Sequence, residues 1–322
     1  MISSIAITIL ECTRQMEIDF IKLHTFSNDL ILVDALRSTP RLGSLYLALH
    51  GSQNDAIGDI VRLMCSRHRG IGGNGVLFLT RGEKTDIRIR FFKPSGDESF
   101  VFSDSAIVLS RYAFDSGYFD KDKLVVEVSS GLHTIEIIDS NHFRISLGSP
   151  CYVDSDEQII EKPDTEYTVS VAVDGKKIIV TPLRLYLNCI IFFYGNMSYK
   201  SQRHLALKII GAFPAADRTV TVFTRVYSRD EISIKIWYTK TGRQILPVDY
   251  TAASAAAAVA AVLNGFTERD TYVHCNRNGM FAQWNQRSNR VYATSTAQYL
   301  FRGTYYLEKG AAVQNDNYDG QS

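Results

Sequence analysis

A carboxylate at the head of an alanine helix is the first place in this chain where residue types and spacing point to chemistry. From Leu246 to Gly265 the sequence reads Leu-Pro-Val-Asp-Tyr-Thr-Ala-Ala-Ser-Ala-Ala-Ala-Ala-Val-Ala-Ala-Val-Leu-Asn-Gly. The proline stops whatever precedes it, and Asp249 or Thr251 is placed to cap the first free N–H groups. Alanine is the strongest helix former, and Asn264-Gly265 supplies a left-handed stop. A helix this slim is packed closely on all sides or has an accessible N-terminus. That end gathers unpaired N–H groups and the positive end of the helix dipole, which favour an anion. Asp249 therefore has two readings, a general acid/base tuned by its surroundings or an N-cap and nothing more. An echo lies in the first half, where Ser103-Asp-Ser opens an apolar run ending at Gly117. There Ser103 and Asp104 carry the same two readings. Two polar-headed, glycine-terminated helices, one per half, suggest an internal duplication that sets both N-termini face to face across an enclosed gap.

The elements that must position these groups follow from hydrophobic periodicity. Strands are expected at 17–23, 30–34, 76–79, 87–92, 124–128, 133–138 and 143–147, with a helix over 54–65. A polar, acidic stretch over 151–166 links the halves. The second half repeats the pattern, with strands at 167–173, 177–182, 190–194, 220–227 and 232–238 and a helix over 202–212. After the alanine helix come strands at 271–274, 279–284, 290–294 and 299–307. Each half thus has many strands and one late apolar helix, which a curled sheet is best able to bury. The fold class is α+β, with two pseudo-symmetric sheet-around-helix domains over 1–150 and 151–322.

Composition narrows the function classes. The 322 residues carry 35 basic and 34 acidic side chains, a net charge of +1, which argues against binding nucleic acid through phosphate neutralisation. Five scattered cysteines with no paired spacing make neither a disulfide framework nor a zinc site, and suit a cytoplasmic protein. No apolar run approaches the roughly 20 residues of a membrane span. The first ten residues lack the basic start and cleavage site of a signal peptide. The tail 314–322 is polar and expected to fray. No cofactor or metal is called for.

Four stretches in order resemble the diaminopimelate epimerase-like family. Lys22-Leu-His-Thr-Phe-Ser-Asn-Asp29, continuing to Asp34, is similar to its K-M-H-G-x-G-N-D-F-x-x-x-D. Ser66-Arg-His-Arg-Gly-Ile-Gly-Gly-Asn-Gly75 is similar to D-R-x-x-G-I-G-A-D-G. Arg90-Phe-Phe-Lys-Pro-Ser-Gly-Asp-Glu98 resembles R-x-x-N-A-D-G-S-E, and the alanine helix resembles A-C-G-T-G-A-C-A-A-A. The resemblance implies two sheet-around-helix domains and a site between them. It also implies a small amino-acid-like substrate, no cofactor, and a monomer or homodimer. In the family two cysteines at the helix N-termini exchange a proton from opposite faces of the substrate. Here those positions fall on Phe102 and Asp249, so the two-thiol mechanism is not available in that form. The family's E-R-G falls near Thr239-Lys-Thr241, and its G-N-P-H near Tyr186-Leu-Asn-Cys189. Asn28 matches a substrate-binding asparagine, and Lys93 replaces another. A branch that makes phenazine precursors uses carboxylates, beginning its helix D-P-x-T-G-S-A, and Leu246 through Ala255 lies loosely between the two patterns.

The catalytic candidates are therefore Asp249, Asp104 and Ser103, and the substrate-binding candidates Asn28, Lys93, Tyr250, Thr251 and Gly75. For each a plainer role stands beside the functional one. Asn28 sits in a turn where asparagine bonds its own backbone, Lys93 is a solvated cation, and Tyr250 packs. The loop at Gly75 either cradles a carboxylate or only turns, and His68 beside it is an ordinary surface histidine. Glu98 bridges strands or supplies an acid. The functional reading is a cofactor-independent isomerase moving a proton on a small carboxylate-bearing substrate. The alternative is the same scaffold turned to ligand binding or to another reaction.

Overall fold

A computed structural model describes residues 16–26, 28–37, 54–99, 103–119, 121–153, 155–162, 165–213, 219–238, 249–275 and 278–307. Phe102, the 239–241 stretch, Leu246 to Val248 and both chain ends lie outside the described residues.

The duplication is explicit in the strand pairing. In the first half, strand Met16–Thr25 turns back onto Asn28–Asp34, which runs parallel to Val76–Thr80. Helix α1, Asn54–Cys65, makes that parallel crossover. Val76–Thr80 pairs antiparallel with Arg88–Phe92, and a second helix, α2, Ser103–Asp115, crosses over to Lys123–Val128. A meander through Gly131–Ile137 and Phe143–Ser146 finishes the unit. The second half repeats each step. Lys176–Leu185 pairs with Leu187–Phe193, which is parallel to Thr219–Ser228 across helix α3, Tyr199–Gly211. Thr219–Ser228 pairs with Glu231–Trp237, and helix α4, Tyr250–Leu263, crosses to Asp270–Cys275 and its own meander. The halves are sewn together twice. Arg290–Ser295 pairs with Phe143–Ser146, and the last strand, Gln298–Leu307, returns to Met16–Thr25. Among the described residues this makes one seventeen-stranded mixed sheet curled around α2 and α4.

The alanine run explains how α4 fits. It packs against every strand from Lys176–Leu185 to Arg290–Ser295. Residues 251–262 of α4 are all buried. A curled sheet closes on all sides of a helix only if the helix presents little bulk, and alanine costs no side-chain entropy on burial. Gly265 takes the expected left-handed conformation at φ 70°, and Gly117 does the same after α2 at φ 72°. An Ala256→Leu replacement, at a fully buried position, is expected to cost about 1–3 kcal/mol or more through overpacking. Urea denaturation monitored by circular dichroism measures it.

One boundary shifts, and two details go beyond the sequence reading. Helix α3 begins at Tyr199 rather than residue 202, because Ser198 caps it by accepting from Ser201 N at 3.2 Å. Its first turn has no apolar stripe, so periodicity alone starts the helix late. Glu98–Ser99 forms a two-residue strand that the turn residues around it conceal. The polar link after residue 150 packs onto the fold. Ile159 is buried, and the Tyr167 hydroxyl, itself accepting from Lys162 N, donates to Ile160 O at 2.9 Å.

Candidate active site

The duplication brings α2 and α4 together head to head. Their N-termini carry unpaired N–H groups and the positive ends of two dipoles, an arrangement that is repulsive unless anions intervene. Two carboxylates do. Asp249 accepts from Ala252 N of its own helix at 2.9 Å and from Ser103 N of the other at 3.3 Å. Asp104, in the first turn of α2, accepts from Tyr250 N and Thr251 N of α4 at 3.1 Å each, and from Thr251 Oγ1 at 2.5 Å. Each helix is thus capped by the other's carboxylate. Both groups are buried, Asp104 completely and Asp249 to within 6 %.

The expected gap between residues 103–104 and 249 is therefore closed, since the two ends touch through their carboxylates. An aspartate reaches back to a neighbouring N-terminus, and this filled space would otherwise be an anion site. The Ser103 hydroxyl is buried with no hydrogen bond of normal geometry, yet it lies near enough to Asp249 to favour the anion.

Burial raises the proton affinity of both carboxyls. For Asp249 burial is the largest cause and the neighbouring Asp104 charge the second, pushing it up to about 7. Asp104 is also raised by burial, opposed by hydrogen bonds from Thr251, Asn28 and Tyr250. Asp104 has four donors aimed at it, and Asp249 has two N–H groups, one of them long. Donors stabilise the anion, so the charge sits on Asp104 and the proton on Asp249 near neutrality.

The remaining candidates separate into those at the pair and those away from it. Asn28 is buried and donates from Nδ2 to Asp104 Oδ2 at 2.5 Å. It touches the acid rather than only its own turn. Tyr250 and Thr251 belong to the pair through the bonds above. Lys93 lies in the turn after Arg88–Phe92, where its N–H donates to Asp97 O at 2.9 Å. Its ammonium makes no ion pair among the described residues. Glu98 bridges strands, bonding Arg90 Nε and Nη2 at 2.9 and 2.7 Å. Gly75 makes a close approach of backbone to core, since a Cβ there would lie 2.4 Å from the Phe91 ring and 2.8 Å from Phe92 O. Gly75→Ala is expected to cost about 1–3 kcal/mol by overpacking, read as a lowered urea midpoint.

Three neighbours were not among the candidates: Cys275 was missed, and Tyr186 and Cys189 entered only as the stretch on which the resembled G-N-P-H falls. Cys189 and Tyr186 stand near Asp249, and Cys275 near Asp104. Burial followed by those charges raises all three, Cys275 to about 12. Both cysteines are distant from the helix heads in sequence but sit on strands of the sheet that wraps α4. Tyr186 holds a positive φ of 63°, costly for an aromatic residue, at the reversal between its strands. A cavity of about 620 Å³ opens beside the pair, lined by Tyr250, Cys275, Trp237, Tyr238 and Tyr199 with the cations of Lys235 and Arg203. Among the described residues no cluster suits a metal ion, and no helix is long and apolar enough to cross a membrane.

No family model matches the chain. A curated relative, diaminopimelate epimerase of Desulfitobacterium hafniense, is 25 % identical over 291 residues, 88 % of this chain and 97 % of its own. Among solved structures, methylitaconate-delta-isomerase superposes with a TM-score of 0.58 at 11 % identity, covering 94 % of this chain and 99 % of its own. A hydroxyproline epimerase from Agrobacterium vitis, with trans-4-hydroxy-L-proline bound, gives 0.58 at 9 % identity, covering 92 % of this chain and 94 % of its own. These likenesses cover most of the chain and show a shared fold. The chain is thus similar to diaminopimelate epimerases in sequence over most of its length, and it shares the fold of the isomerase and epimerase structures.

Proposed function

We propose that the protein is a cofactor-independent isomerase whose acid/base pair is Asp104 and Asp249. It moves a proton on a small, amino-acid-like carboxylate substrate admitted between the two helix heads. One observation carries this reading: two buried carboxylates from opposed helix N-termini, one rich in donors and one pushed up to about 7. An acid whose affinity for protons matches the working pH is suited to both giving and taking one. The ionised Asp104 removes a proton from carbon, and the carboxylic acid of Asp249 returns one at another position or face. The bonding electrons stay on the substrate, and the charge of the pair is unchanged. Carboxylates are weaker bases than thiolates. The substrate proton must therefore be acidified by conjugation, which favours isomerisation or elimination over exchange at an unactivated α-carbon. The cavity beside Tyr250 is the approach, and on this reading turnover requires the helix heads, in contact here, to part. The likeness in sequence to diaminopimelate epimerases supports the same reaction class.

A second reading, a scaffold that no longer catalyses, is favoured by one observation. The pair leaves no gap, and its carboxylates satisfy N–H groups that would otherwise receive a substrate anion. Incubation of the protein with unsaturated and amino-substituted small acids in heavy water separates the two. Deuterium entering a carbon position supports the isomerase, and no exchange across the panel supports the scaffold.

A further inference from the structure

Asp104 is the end of a one-way chain of hydrogen bonds that starts at the surface. Arg67 lies in the glycine-rich loop after α1, its side chain 57 % exposed. Its guanidinium donates to both carboxylate oxygens of Asp29, at 3.0 and 2.8 Å, and also to Asn74 Oδ1 at 2.9 Å. A guanidinium donates and never accepts, so this contact fixes which end of the Asn74 amide is oxygen. The Asn74 Nδ2 then faces Asn28 and donates to its Oδ1 at 3.0 Å. That fixes the second amide in turn, leaving Asn28 Nδ2 to donate to Asp104 Oδ2. Lys22 steadies the start of the chain, pairing with Asp29 at 2.9 Å and donating to Gly72 O. A permanent cation thus imposes a single polarity through two amides onto one member of the carboxylate pair.

We propose that Asn74 is a positioning residue which, held by Arg67, orients Asn28 so that Asp104 is always the anionic member and Asp249 the protonated one. The inference rests on the proposed acid/base role of the pair for its consequence. It fixes Asp104 as the base and Asp249 as the acid, and so the direction in which the proton crosses the substrate. The groups facing the pair from the surrounding strands and from α4 are Cys189, Tyr186, Cys275 and Tyr250, with Arg290 beside Tyr186. Burial raises all four acids, keeping them neutral where the pair titrates, so the step near neutrality belongs to the two aspartates.

Carbon-13 NMR of aspartate-labelled protein, with carboxyl signals assigned through D104N and D249N, tests this without substrate. In the parent the Asp249 carboxyl signal moves through the neutral step while Asp104 stays at the ionised position. Asn74→Asp replaces a donor toward Asn28 with an acceptor. The Asn28 amide then turns its oxygen to Asp104, and the Asp104 signal becomes the one that moves. Arg67→Gln, at an exposed position, loosens the same polarity and shifts part of the movement to Asp104. It decides the matter if Asn74→Asp does not fold. A merely structural role for Asn74 would lower the melting temperature and leave Asp249 as the titrating group in both variants, which overturns the proposal. If the signals switch as described while no substrate exchanges deuterium, the positioning stands and the isomerase reading falls.

Discussion

Replacing Asp249 by asparagine is expected to lower proton exchange into substrate by about 10²–10⁴-fold, the usual worth of a positioned acid/base. The melting temperature should change little. Asparagine caps a helix about as well as aspartate, so the bond from Ala252 N survives. Only the long contact to Ser103 N is disturbed, and the amide is neutral beside Asp104, as the protonated carboxyl it replaces is. Asp104→Asn should behave differently. An amide at position 104 turns an NH2 toward Asn28 Nδ2 and Tyr250 N, both of which now donate there. Each donor left unsatisfied in a buried site costs about 1–3 kcal/mol. Asp104→Asn is therefore expected to lose stability and activity together, and Asp249→Asn activity alone. Thermal unfolding and deuterium wash-in on the same two preparations measure the contrast. Equal loss of stability in both variants would mean that Asp249 is a cap and no more.

The second large effect concerns pH. Asp249 rises from an ordinary value of 3.8 to about 7 on folding. Between those values the folded chain holds a proton that the unfolded chain has released. Stability therefore falls as pH rises, by about 1.4 kcal/mol for each pH unit from this group, because one pKa unit corresponds to that energy. The contribution is fully present below the unfolded pKa and lost once pH exceeds about 7, where both states are ionised. Urea midpoints measured from pH 4 to 8 should slope downward in the parent protein. Asp249→Asn should flatten the slope and leave the variant the more stable of the two at pH 8. A parent curve that rises over this range would show Asp249 ionised in the fold.

Much of this was legible in the residues. The alanine run over α4 dictates a buried helix in any closed sheet, and polar heads with glycine stops announce its duplicate at residues 103–117. Alternating apolar residues place nearly every strand. The return of the last strand to the first was hidden, because nothing local couples Leu307 to Met16. The site was half legible. Asp249 and Asp104 stand out by position, but that they touch depends on how closely two helix heads approach, which spacing does not encode. Asn74 was hidden by its setting, since a glycine-rich loop suggests an anion cradle and its real partner, Asn28, lies 46 residues away. Cys189 and Cys275 were hidden for a related reason. They are remote along the chain and adjacent only after the sheet curls.

The physical core of the account is that these two carboxylates hold one proton between them at neutral pH. Infrared spectroscopy reads this directly, because a protonated carboxyl has a carbonyl stretch that a carboxylate lacks. At pH 6 the parent protein should show such a band, shifting in heavy water and lost in Asp249→Asn. A spectrum without any protonated-carboxyl band at that pH, or one unchanged by Asp249→Asn, would contradict it.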